Sequence, residues 1–126
     1  MTSLAYPKPV TRQRLKARKD RAEAAVIVFV RSFVVERDGY CRCKGYGLGA
    51  CMGPSEWAHL EDHRRARTRG QSPERRHDRR FSMMLCAIHH RRYDAHTLVM
   101  AFLSDRGADG PIQWYYDGFV YTEEYR

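Results

Sequence analysis

Phe81-Ser82-Met83-Met84-Leu85-Cys86-Ala87-Ile88-His89-His90-Arg91-Arg92-Tyr93-Asp94 is the stretch on which the fold turns. Phe81 to Leu85 has the length and apolarity of a short strand, and Cys86 to about Ala95 reads as a helix. Cys86 and His89 form a C-x-x-H at the helix start, where residues three apart share a face. Two such donors can point at one ion. Upstream, Glu56 to Asp62 reads as another short strand, and residues 64–80 as a charged connection. The order strand, connection, strand, helix is therefore expected across 56–95.

A zinc ion takes four thiolate or imidazole donors in a tetrahedron, commonly as two local pairs brought together by the fold. The second pair has to come from residues 41–54, where Gly45, Gly47, Gly49, Gly53 and Pro54 signal a loop. That loop holds Cys41, Cys43 and Cys51. Cys41-x-Cys43 is tight for a two-ligand knuckle, so Cys41 is paired with Cys51 and Cys43 is kept as the alternate. The competing reading makes these thiols small buried hydrophobes. Four cysteines beside six histidines with no leader favour metal ligation over disulfides and point to a reducing, cytoplasmic setting. Gly45-x-Gly47-x-Gly49 is no dinucleotide fingerprint, because no helix-forming pattern follows it.

His90 and Asp94 lie four apart on the same predicted helix, rotated about 100° from His89. They therefore address a different place from the Cys86/His89 pair. Such a spacing also suits a plain surface hydrogen bond. His59, on the predicted strand about thirty residues earlier, raises its interest.

The flanks complete an α+β chain. Thr11 is a plausible N-cap for one long basic helix to about Arg37, stopped at Asp38-Gly39. The β-branched run Val26-Ile27-Val28-Phe29-Val30 suits helix or strand, and the lack of a turn signal decides for helix. Leu98–Leu103, Ile112–Tyr116 and Phe119–Tyr121 read as an antiparallel meander, with Asp117-Gly118 as the last turn. The expected organisation is an N-terminal arm and helix (1–37), a metal-stapled core (38–96) and a strand extension (97–126), in one compact domain. At 126 residues the chain is too short for two full cores. The longest apolar run, Ala24 to Val30, has seven residues and cannot span a bilayer.

Charge supplies the partner. The net charge is +8, and 19 of the 23 cations are arginine, the residue suited to forked phosphate contacts. Residues 1–37 and 61–92 each carry +6, whereas 93–126 carry −4. Two basic blocks bracketing the cysteine loop fit a polyanion better than a small anion. Nucleic acid is the expected partner, double-stranded DNA first.

Arg37-Asp38-Gly39-Tyr40-Cys41, Glu56-Trp57-Ala58-His59-Leu60 and Met84-Leu85-Cys86-Ala87-Ile88-His89-His90 resemble the HNH, or ββα-metal, endonucleases. The resemblance covers residues 36–95 and is closest to small phage-type members with a zinc knuckle. It implies a ββα-metal core stapled by structural zinc, and a metal-dependent DNA endonuclease or nickase. By position His59 would be the general base. His90 and Asp94 would hold a catalytic Mg²⁺ or Mn²⁺. The residue before the base, commonly a metal ligand in the family, is Ala58, and the chain contains no asparagine. His89 replaces a cysteine in the second zinc pair. His77, with His63 behind it, is the candidate for the missing ligand, and His96 reads as surface. Arg64, Arg65, Arg67 and Arg69 would hold flanking phosphates. A prokaryotic or phage-infected cell and a larger phage or host complex fit the resemblance. A zinc-stapled nucleic-acid-binding module without catalysis is the alternative.

Overall fold

The computed structural model describes residues 11–60 and 77–124. A 27-residue helix, α1 (Arg12–Asp38), is the first element of the described residues. Thr11 caps it, its side-chain oxygen accepting the Arg14 N–H at 3.2 Å. Gly39 ends it with φ 71°, donating its N–H to Val35 O, a left-handed stop that glycine adopts without strain. The β-branched run is helical, Val34 is fully buried, and α1 packs against the strand Ser82–Cys86.

The antiparallel pair β1 (Ser55–His59) and β2 (Ser82–Cys86) sets Trp57 opposite Met84 and His59 opposite Ser82. β2 is buried along its whole length, which explains its continuous apolar run rather than an alternating one. Helix α2 (Ala87–Asp94) follows directly. Cys86 is its N-cap rather than its first residue, because the thiol accepts the His89 N–H at 3.5 Å. The expected first strand is shorter than 56–62: it stops at His59, and residues 61 and 62 lie outside the described residues.

A second antiparallel sheet, β3 (Leu98–Phe102), β4 (Ile112–Tyr116) and β5 (Phe119–Thr122), forms the meander. Asp117 and Gly118 both have positive φ, as a tight two-residue hairpin turn demands. Both sheets share one core: Leu48, Ala58, Met83, Leu85, Leu98, Ile112 and Trp114 cluster with the thiols of Cys41, Cys43 and Cys86. The fold is thus α+β, with helices and two antiparallel sheets. Among the described residues, no helix is long and apolar enough to cross a membrane.

A buried arginine joins the parts. Arg42 is 2% exposed and makes a forked ion pair with Glu123, at 3.0 and 2.8 Å. It also reaches Asp38 at 2.7 Å and the carbonyls of Ala108 and Gly110. Glu123 in turn accepts from Ile112 N and Trp114 Nε1. The end of α1, the cysteine loop and the meander therefore meet at one guanidinium. Arg42→Met would leave the buried Glu123 carboxylate without its cation, while Asp38 keeps Arg37, a loss on the order of 3–5 kcal/mol. Urea unfolding of the metal-loaded protein measures it. A loss below about 1 kcal/mol, as for exposed pairs, would contradict this role.

Candidate functional site

The donor atoms of Cys41, Cys51, Cys86 and His89 all lie within 4.8 Å of one another. His89 Nδ1 is 3.5 Å from the Cys41 sulfur, 3.7 Å from that of Cys51 and 3.0 Å from that of Cys86. A tetrahedral zinc with bonds of about 2.3 Å to sulfur and 2.0–2.1 Å to nitrogen has donor–donor edges of roughly 3.5–3.8 Å. Two of the three edges match, and the Cys86–His89 edge has to open by about half an ångström to reach that range. The cluster can hold a metal ion such as zinc.

Its surroundings orient the donors. His89 is fully buried and places Nε2 3.0 Å from the Leu48 carbonyl. A carbonyl only accepts, so Nε2 carries the proton and the Nδ1 lone pair faces the three sulfurs. The loop is stitched to α2 by Ala87 N–H donating to Pro54 O and Ile88 N–H donating to Met52 O. Gly53 makes this approach possible: a Cβ there would meet the Ala87 methyl at 2.7 Å. Cys43, the alternate ligand, is buried in the core and lies outside the four-donor group. A hydrogen bond from its thiol, aided by backbone N–H groups, holds Cys41 below the ordinary thiol range despite burial. That bond to Cys41, together with burial, pushes Cys43 itself up. Cys43 thus serves the centre as a donor to a ligand. Burial and the charge on Cys41 push the Cys51 thiol up, the repulsion that a bound cation relieves.

A second group of side chains surrounds the end of β1. His59 Nε2 is 3.2 Å from His77 Nδ1, and His77 Nε2 is 2.9 Å from Glu23 Oε1 on α1. The Trp57 ring lies against His59, with centroids 4.3 Å apart. Both ring nitrogens of His77 are engaged there, with His59 and Glu23, whereas His90 and Asp94 meet around Glu56.

His90 instead meets Glu56, Nδ1 to Oε1 at 2.9 Å, while its Nε2 faces Asp94 at 3.6 Å. Glu56 was not among the residues singled out from sequence. The signal for it was the strand alternation, since residues 56 and 58 share a face. Glu56 can therefore offer the carboxylate that Ala58 lacks. Glu23 had no local signal, being 54 positions from His77. His96, with φ 62°, is exposed beyond α2. His63 and the four arginines Arg64, Arg65, Arg67 and Arg69 lie outside the described residues. No protein-family model, curated protein or solved structure matches this chain.

Proposed function

We propose that the protein is a metal-dependent nuclease of the HNH type, cleaving phosphodiester bonds in DNA with His59 as general base. One observation carries this reading. An antiparallel strand pair runs straight into a helix, with His59 at the end of the first strand and His90 and Asp94 on the helix. The Cys41, Cys51, Cys86 and His89 centre would be the structural zinc that fixes the loop against that helix.

Glu56, His90 and Asp94 mix carboxylate and imidazole donors, a set suited to Mg²⁺ or Mn²⁺. Such an ion, when bound, supplies positive charge against the developing charge on phosphate and leaving oxygen. His59 takes the proton from the attacking water, work for which neutral imidazole is matched near neutral pH. His90 is held between the two carboxylates, so its ring orientation is set before any ligand arrives. The arginine-rich charge pattern supports a polyanionic substrate. Arg79 and Arg80 are half-exposed and paired with Asp109 and Asp78; Arg64, Arg65, Arg67 and Arg69 would supply further phosphate contacts.

Supercoiled plasmid tests the reading directly. Conversion to nicked or linear DNA is expected with Mg²⁺ or Mn²⁺ and not when divalent ions are omitted. His90→Ala should raise the Mn²⁺ concentration needed for half-maximal cleavage while zinc content stays the same. DNA binding with no cleavage in either metal would overturn the nuclease and leave the zinc-stapled binding module.

A further inference from the structure

Three separate elements meet through His77. Glu23 comes from α1, His77 from the turn before β2, and His59 from the end of β1. We propose that Glu23 and His77 are positioning residues that fix the tautomer of His59, placing its proton on Nε2 and its lone pair on Nδ1. As a statement about the base, this rests on the nuclease reading above; as a statement about the proton, it stands on hydrogen-bond chemistry alone.

The direction of the chain follows from what each group can donate. An ionised carboxylate only accepts, so the 2.9 Å contact to Glu23 requires the proton of His77 to sit on Nε2. A neutral imidazole carries a single N–H, so Nδ1 of His77 is then an acceptor. An imidazolium at His77 would donate the 3.2 Å contact itself; with His77 neutral, Nε2–H of His59 donates it. That consumes the one proton of neutral His59 and leaves the lone pair on Nδ1. The opposite arrangement would set the lone pair of His77 Nε2 against the carboxylate, which is repulsive. The Trp57 ring packs against His59 at 4.3 Å and lies 5.7 Å from His77. The His77 side chain is only 15% exposed and that of Glu23 30%, so competition from water is reduced.

The arrangement gives α1 a task beyond charge. A helix 27 residues long with one fully buried residue contributes little to the core, yet it delivers the carboxylate that accepts from His77. An orienting group acting on an imidazole in this way typically changes activity by about 10- to 100-fold.

The test reads protons rather than products. Full-length, zinc-loaded, ¹⁵N-labelled protein is studied by long-range ¹H–¹⁵N imidazole correlation at about pH 8, above the ordinary histidine range. His59→Ala and His77→Ala assign the two rings. Both are expected as the Nε2–H tautomer in the parent. In Glu23→Gln and His77→Ala, His59 should move to a mixture of tautomers, with zinc content and backbone spectra retained. In parallel, Glu23→Gln should lower kcat for plasmid cleavage by about 10- to 100-fold with KM nearly unchanged. A parent His59 protonated on Nδ1, or one whose tautomer ignores both substitutions, overturns the proposal. The two readings fail separately. Tautomer shifts in a protein that cleaves nothing retain the positioning chain and remove the nuclease. Cleavage with an unmoved tautomer retains the nuclease and removes the chain.

Discussion

Purified without added metal, the protein is expected to carry one zinc ion per chain and to lose its folded structure when that ion is stripped. Residues 41–53 contain no helix or strand, yet Cys41, Cys43 and Leu48 from that loop are core residues. Packing alone has little to hold so irregular a segment in place. Zinc ligation in small domains supplies roughly 10–16 kcal/mol, against a net stability of about 5–15 kcal/mol for ordinary domains. Losing the ion should therefore cost most or all of the stability. Elemental analysis gives the stoichiometry, and thermal melts with and without a strong chelator give the coupling. Cys41→Ser and Cys86→Ser should both abolish zinc retention. Cys43→Ser should keep the ion, since it removes no ligand and its hydroxyl still donates to Cys41, whereas Cys43→Ala, which removes that bond, should hold the ion less tightly. Thiolates must shed protons to bind, so acid should release the metal and alkali should not. A metal-free protein with an unchanged melting temperature would dispose of the zinc centre. Zinc lost from Cys43→Ser and kept by Cys41→Ser would reverse the assignment of the two cysteines.

Local chemistry was legible in the sequence and long-range pairing was not. Thr11 and Gly39 announce the ends of α1, and Asp117-Gly118 announces the β4–β5 turn, because each needs only its neighbours to act. The C-x-x-H of Cys86 and His89 is likewise local, and helix periodicity alone aims both at one point. The tight spacing of Cys41-x-Cys43 excluded them as a pair without deciding between them, and the donor group contains Cys41. By contrast, Arg42 and Glu123 are 81 positions apart, and nothing in either neighbourhood names the other. Glu23 is hidden for the same reason: on a helix crowded with charge it looks like any solvated acid. The contact of His77 with His59 and Glu23 was not legible either, since the path of a charged connection follows from tertiary contacts rather than from its own residues. Glu56 was within reach of strand alternation, which ranks residue 56 beside residue 58 as surely as it ranks residue 59 away from it.

His59→Ala is expected to reduce plasmid cleavage by about 10²- to 10⁴-fold, the usual contribution of a positioned general base. Its selectivity is what makes the result informative. The side chain lies at the end of β1, is partly exposed, and belongs to neither the zinc ligands nor the buried core. Alanine at a strand end removes no core packing, and Trp57 keeps its place opposite Met84 in the register. Zinc content and melting temperature should therefore match the parent. Duplex affinity should also persist, because non-specific binding comes from cations on phosphate, each contributing a salt slope of about −0.9, and neutral imidazole adds none. The parent and His59→Ala should then show the same dependence of binding on salt while differing only in turnover. His90→Ala should differ from both, losing activity that higher Mn²⁺ restores, since it weakens retention of the ion and leaves the base intact. Single-turnover cleavage on pre-bound plasmid separates these effects, because the chemical step is read without substrate association. Equal single-turnover rates for the parent and His59→Ala would remove His59 from the chemistry and leave the histidine cluster at the end of β1 a structural feature.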